Sequence, residues 1–336
     1  MSEPEGRIIM ISIGLDYKYP SNSSDSSDSS KSKTSYNGLN GTLNDVRRAG
    51  AAMQALSEES GKDFYWIPLF QHENVYDDVK SSSIKDNFAS IENFENVITY
   101  LNDNSSESTE PLIITDPKDF SLNEYLADYE DDGTKAHDIE LNSNDILIIY
   151  YSGHGVTSNG DLYMMSNSSS TAVDYSLDSF KSSIEELKSK TLVVLDSCYS
   201  GNLIEESDTT IRTRGPEIEI TTYSQALEFL FDTTFDENNN NLFVLAATSK
   251  NYESRESSYY NYGYFTKAFL NAVGWTWEVE DITSLGDLES DIPSLNSGEI
   301  SLDDIYSYTK DTDHSNSDYF PMMSGGRLDL VLFTIK

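Results

Sequence analysis

The sequence predicts an open α/β fold, with a mostly parallel central sheet of about six strands flanked by helices. Two observations predict the class. Short apolar runs recur along the 336 residues, and most are nearly continuous instead of alternating, as in strands buried on both faces. Helical patterns lie between these runs, and strands that alternate with helices build parallel sheets. A third observation points to chemistry. Two runs end in SGHG (152–155) and SCYSG (197–201), at the strand ends where open α/β sheets bind ligands.

The expected strands are IIMISIGL (8–15), FYWIPLF (64–70), ILIIYY (146–151), TLVVLD (191–196), LFVLAAT (242–248) and LDLVLF (328–333). The first expected helix, 42–59, is rich in helix formers. The next, 87–101, spaces Phe88, Ile91, Phe94, Ile98 and Leu101 three or four apart, the spacing of one helix face. Residues 176–190, 223–231 and 264–275 continue the alternation. Ser301 begins the last helix, 301–310, as a cap candidate followed by Asp303 and Asp304. The stretch LYMMS (162–166) reads as part of a hairpin.

The interruptions are low in complexity. SNSSDSSDSSKSKTS (21–35) has the composition of a disordered insertion, and 103–108, 205–215, 236–241 and 280–300 read as surface loops. No internal repeat is evident. The expectation is one domain over 1–336, with the insertion at 21–35 and a candidate processing loop at 203–222.

Acidic residues outnumber basic ones by 58 to 22, for a formal charge of −36. Such a chain repels phosphate backbones, so nucleic acid is not an expected partner. No apolar run approaches the roughly 20 residues of a membrane span, and the N-terminal stretch has no basic leader. The expectation is a cytoplasmic protein, monomeric, with no membrane partner. The single cysteine rules out an internal disulfide.

That cysteine, Cys198, follows one strand, and His154 stands between two glycines after another. If the strands are neighbours, thiol and imidazole emerge together. The 44 positions from one to the other hold a hairpin and a helix, enough for a right-handed crossover. A free thiol has a pKa of about 8.5 and needs a basic neighbour to become the thiolate nucleophile. Glycines beside His154 let the backbone approach a substrate and leave N–H groups free for an oxyanion. The bland alternative for Cys198 is a small buried hydrophobe. His72, His137 and His314 lie in polar contexts and read as surface residues.

YYSGHG (150–155) and LDSCYSG (195–201) resemble the histidine and cysteine motifs of the caspase-like cysteine peptidases, and most closely those of the metacaspases and their bacterial relatives, the orthocaspases. The DSC-Tyr-SG form is the metacaspase one. The segments GLNGTLNDVRRAG (38–50), LFVLAATSKNYESRE with YGYFTKAFLNAV (242–273), SLDDIYSYTK (301–310) and LDLVLF are supporting likenesses along nearly the whole chain. The resemblance implies the caspase-haemoglobinase fold and peptide hydrolysis through an acyl-enzyme. Cys198 would be the nucleophile, His154 the proton carrier, and the N–H groups of Gly155 and Cys198 the oxyanion hole. Thr42 stands near where many metacaspases carry a cysteine, and Tyr199 replaces the commoner histidine after the nucleophile. Neither departure touches the Cys–His pair.

Asp196 lies two residues before Cys198, on the same face of a strand. A carboxylate in a desolvated pocket selects a cation, ideally Arg. The resemblance adds Asp45, of the Asn44–Asp45 pair, to that pocket and implies cleavage after Arg or Lys. Each acid has a second reading: Asp45 complements a helix dipole, and Asp196 caps a turn. Arg212 and Arg214 stand out in the 203–222 loop as candidate sites of self-cleavage, against the reading of two solvated bases. No cofactor is required. Calcium is a possible ligand of Asp161, Asp174 and Asp178, by the oxygen chemistry it prefers and by family likeness. Alternatives to the Arg/Lys endopeptidase are a non-catalytic caspase-like interaction module, a caspase-fold protease of different preference such as one directed at asparagine, and an unrelated doubly wound hydrolase or binding protein.

Overall fold

In chain order the elements are β1 (Ile8–Leu15), α1 (Thr42–Ser60), β2 (Phe64–Gln71), α2 (Ile91–Asn102), β3 (Ile146–His154), β4 (Leu162–Ser166), β5 (Ser169–Tyr175), α3 (Leu177–Ile184), β6 (Lys190–Cys198), β7 (Leu242–Ala246), β8 (Glu256–Ser257), β9 (Tyr262–Gly263), α4 (Tyr264–Ala272), β10 (Trp275–Thr276), β11 (Asp287–Leu288), β12 (Leu295–Asn296), β13 (Glu299–Ser301), α5 (Leu302–Thr312), β14 (Met322–Met323) and β15 (Val331–Thr334). The structure, a computed structural model, describes residues 6–17, 39–71, 87–103, 111–118, 139–155, 162–167, 169–198, 241–247, 256–257, 261–312, 322–323 and 330–335. The insertion 21–35, the expected helix 223–231 and the loop 203–222 lie outside them.

The central sheet runs β14-β7-β6-β3-β1-β2. Its five long strands pair in parallel, and β14 adds an antiparallel edge to β7. Successive residues of a strand point to opposite faces, so each run feeds two cores. Ile9, Ile11, Ile13, Leu147, Ile149, Val193 and Leu195 join Phe94 and Val97 of α2 and Phe180 of α3 in one. Ile8, Met10, Ile148, Leu192 and Val194 join Val46 and Met53 of α1, Phe265 and Phe269 of α4 and Ile305 of α5 in the other. Helices on both faces are why the runs read as continuously apolar.

Several expected elements differ in extent or place; the strands expected over 146–151 and 191–196 run on to His154 and Cys198, and the helix expected over 264–275 ends at Ala272, with Trp275 starting β10. Residues 87–90 are not helical. Phe88 bridges Phe70 and Ser90 bridges Met165, and the Ser90 side chain then caps α2 by accepting from the Asn93 N–H at 3.1 Å. The third helix is capped by Ser176, which accepts from the Ser179 N–H at 3.1 Å. It stops at Ile184, leaving the chain to turn into β6, where the Lys190 N–H bonds the Asp145 carbonyl. The last apolar run does not enter the central sheet. It forms β15 in a separate three-stranded sheet, β12-β13-β15, and is apolar because Leu332 and Phe333 complete the core over α1 and α5. Ser301 caps α5 as expected, accepting from the Asp304 N–H at 3.2 Å. Among the described residues no helix is long and apolar enough to cross a membrane.

One polar network ties the start of β1 to the start of β3. Arg7 holds Asp145 in a fork, Nε to Oδ1 at 3.1 Å and Nη2 to Oδ2 at 2.7 Å, and its backbone N–H adds a bond at 2.9 Å. Asn142 donates twice more to Oδ2. The Asp145 side chain is fully buried, so removing it strands several donors. Asp145→Ala is expected to lower the unfolding free energy by about 3 kcal/mol, measured by urea denaturation.

Candidate active site

The strands that end in SGHG and SCYSG are direct neighbours. Their parallel register runs without a shift from Ile146 opposite Lys190 to His154 opposite Cys198. Adjacent strands lie about 4.8 Å apart, so the pairing sets the backbones of the histidine and the cysteine side by side at the carboxyl edge of the sheet. The crossover between them contains the β4–β5 hairpin and α3, as the spacing suggested. Gly155 follows at once and bridges Leu162 of β4.

His154 is 2% exposed and is gripped by tyrosines. Its backbone N–H donates to the Tyr17 hydroxyl at 2.8 Å, and its carbonyl accepts from the Tyr151 hydroxyl at 2.6 Å. The Tyr17 hydroxyl in turn donates to the Tyr163 carbonyl at 2.7 Å. The Tyr17 ring stacks on the imidazole, with centroids 4.5 Å apart and planes inclined by 28°. This gives Gly153 a reason that the sequence did not show. A Cβ there would stand 2.7 Å from the Tyr17 hydroxyl oxygen and 2.8 Å from that of Tyr151. The close neighbours of this glycine are two phenols, where sequence reasoning expected a substrate.

Two residues before Cys198, Asp196 is 2% exposed, and Asp45 of α1 is 1% exposed. Both carboxylates converge on Gly263. Its N–H donates to Asp45 Oδ2 at 2.8 Å, and a Cβ on it would lie 2.2 Å from Asp196 Oδ2 and 3.1 Å from Asp45 Oδ2. Asp196 Oδ2 also accepts from the Thr266 N–H at 3.2 Å and from the Thr266 hydroxyl. That hydroxyl is itself bonded to the Tyr150 hydroxyl. Asp45 Oδ1 is buried and accepts no hydrogen bond among the described residues. Asp45 sits in the first turn of α1, yet its carboxylate reaches across to α4, so complementing its own helix is not its whole role. Asp196 binds the N–H of a residue 70 positions away, not a turn that follows it.

Burial pushes the Asp45 carboxyl well above the usual range, and the charge of Asp196 pushes it further. The Gly263 N–H and Arg48 oppose the shift. Burial, followed by Asp45 and Asp196, likewise raises the Tyr150 phenol, which keeps it a neutral donor. Arg48, one turn after Asp45, is itself fully buried. It stacks over Trp277 at 4.6 Å and donates to the carbonyls of Ser284 at 3.1 Å and Asn261 at 3.4 Å. Glu256 receives the N–H groups of Asn40 and Gly41 at 3.1 and 3.0 Å. It thereby closes the N-terminus of α1, where Gly41 supplies no side-chain cap.

Of the calcium candidates, two lie among the described residues. Asp174 and Asp178 are exposed, Asp161 lies outside the described residues, and among those residues no cluster of three or more His, Cys, Asp or Glu is built to hold a metal. Arg212 and Arg214 also lie outside them. Sequence reasoning missed Tyr17, Gly263, Thr266, Arg48 and Glu256. Only Tyr17 left a trace, as a large polar aromatic two residues after a strand.

Residues 132–287, a little under half of the chain, match the family model described as caspase domain. The match spans both motif strands, and the sheet that carries them has five parallel strands between helical layers. The fold is caspase-like. Two solved structures are distantly similar: pro-sf-caspase-1, with 10% identity, a TM-score of 0.38, and 96% of this chain and 88% of that one covered; and caspase-1 from Spodoptera frugiperda, with the same identity and TM-score and 96% and 87% covered. No curated protein gives a significant match. The caspase-domain match supports a cysteine-type peptidase.

The raised Asp45 carboxyl has a consequence for stability. A carboxyl raised in the folded state binds more protons there than in the unfolded chain. Stability is therefore full below the unfolded value near 3.8 and falls as pH rises through the folded value. Asp45→Asn, which keeps the oxygen that accepts from Gly263, is expected to melt higher than wild type at pH 7. The gap should close as pH falls toward 4 in paired thermal melts.

Proposed function

We propose that this chain is a cysteine endopeptidase that hydrolyses peptide bonds after Arg or Lys. The observation that carries the reading is the in-register pairing of His154 with Cys198 at the carboxyl ends of adjacent parallel strands. In the proposed reaction the Cys198 thiolate attacks the scissile carbonyl, forming a C–S bond and a tetrahedral oxyanion. The N–H groups of Gly155 and Cys198 hydrogen-bond that oxygen. His154 gives a proton to the leaving amine as the C–N bond breaks, leaving a thioester. A water molecule, losing its proton to His154, then attacks the thioester carbonyl; the C–S bond breaks, the acid product leaves, and the Cys198 thiolate is restored beside the protonated His154.

The preference for a basic residue rests on Asp45 and Asp196. Two buried carboxylates beside one glycine, with Asp45 Oδ1 unused among the described residues, suit a guanidinium or ammonium that brings several donors and a compensating charge. The metacaspase or orthocaspase form of the cysteine motif supports the same preference. The reading extends to protein substrates, to self-cleavage after Arg212 or Arg214, and to a cytoplasmic monomer that needs no cofactor. Calcium acting through Asp161, Asp174 and Asp178 is a separate part of the proposal.

The test is a panel of fluorogenic peptides that differ only before the scissile bond, assayed with and without calcium. Arg and Lys peptides are expected to be cleaved at least about 100-fold faster than Asp or Asn peptides, and Cys198→Ala to be inactive. A preference for Asp would overturn the pocket, and no cleavage of any peptide would overturn the peptidase. Mass spectrometry of wild type beside Cys198→Ala reads the self-cleavage: an intact chain in both would remove Arg212 and Arg214 from the proposal.

A further inference from the structure

Tyr17 adopts a left-handed backbone conformation, with φ of +53°. A bulky side chain seldom takes that conformation, and such residues persist only where their surroundings hold them. Here the surroundings are specific. The Tyr17 N–H donates to the buried Gln71 Oε1 at 2.7 Å, and the preceding residue is pinned by the Leu39 N–H, which donates to the Asp16 carbonyl at 2.8 Å. β1 is the neighbour of β3 on the side away from β6, and the last register pair between β1 and β3 is Gly14 with Ser152. The left-handed turn just beyond that pair carries the phenol ring over the end of β3, onto His154. The histidine is therefore held between Tyr17, from the strand on one side, and the position of Cys198, on the other.

We propose that Tyr17 is a positioning residue for His154: its ring and hydroxyl set the plane and depth of the imidazole against the Cys198 thiol. The proposal rests on the reading of His154 as proton carrier. Two separable contacts carry it. The ring stack fixes the imidazole plane. The hydroxyl fixes the backbone, accepting from the His154 N–H and donating to the Tyr163 carbonyl, while Tyr151 holds the His154 carbonyl from the other side. The space that Gly153 leaves for both hydroxyls ties the first glycine of SGHG to the same arrangement. A tyrosine that only closed the end of the sheet would explain the burial, but the stack falls on the one side chain whose orientation the reaction needs.

The chain has a single cysteine, so alkylation of Cys198 by iodoacetamide reports on the thiol without any substrate. Tyr17→Phe keeps the ring and loses the hydroxyl; Tyr17→Leu loses both. The kcat on an Arg peptide is expected to fall about 10-fold in the first and about 100-fold in the second, with KM within about twofold of wild type. The alkylation rate below pH 7 is expected to fall in the same order, toward the floor set by His154→Ala. Folded variants whose kcat and alkylation profile both match wild type within about twofold would overturn the proposal. An equal loss in Phe and Leu variants, accompanied by a matching rise in KM, would also overturn it. If Tyr17→Leu does not fold, Tyr17→Phe decides alone. If wild type cleaves no peptide, the peptidase reading fails, and the alkylation profile still decides whether Tyr17 sets the imidazole against the thiol. Identical profiles for wild type and His154→Ala would overturn the positioning role.

Discussion

The unshifted parallel pairing of β3 with β6 is the constraint on which the rest of the site depends. A slip of one residue would send every side chain of a strand to the opposite face. Both strands are buried on both faces, so a slip would also place Ile148 and Leu192 in the core built for Ile149 and Val193. The cost of mispacking two cores therefore enforces the register. Because the register is enforced, the backbones of His154 and Cys198 meet at the sheet edge. The Arg7–Asp145 fork pins the opposite end of the sheet, where β1 and β3 begin.

The neighbourhood of that edge stores unfavourable energy. Asp45 and Asp196 are buried together around Gly263, and burial together with the charge of Asp196 raises the Asp45 carboxyl. Tyr17 holds an uncommon backbone conformation, and Arg48 is buried one turn after Asp45 on α1. Groups arranged this way are poor choices for stability alone. The two carboxylates agree with a proposed site in which a cationic substrate side chain supplies the missing compensation. The surrounding hydrogen bonds hold the groups in place until it does: Glu256 on the α1 N-terminus, Thr266 on Asp196, and the Gly263 N–H on Asp45.

Much of the frame was legible because it rests on periodicity. The five long strands fall where their apolar runs predict them, and α1 where its run of helix formers does. The errors share a cause. LDLVLF is as apolar as a central strand, but an apolar run reports burial and not the identity of its partner, and β15 is buried against β13 and α5 instead. Residues 87–90 match a helical spacing, yet long-range bridges to Phe70 and Met165 outweigh local propensity. At the site, His154 and Cys198 stood out by their flanking residues and Asp196 by its spacing. Gly263, Thr266 and Glu256 carry no local signal, since each acts on a group more than 60 positions away.

The sequence alone determined the class of sheet, the two strands that lead to the histidine and the cysteine, and the likeness of their motifs to the caspase-like peptidases. These are local quantities, written in hydrophobic period and in short runs of neighbouring residues. Only the tertiary structure decided that β3 and β6 are adjacent and in register, that Asp45 and Asp196 close on the same glycine, and that the phenol of Tyr17 lies on His154. Those are contacts between segments far apart in the chain. They follow from how two cores pack around one sheet, which no window of sequence contains.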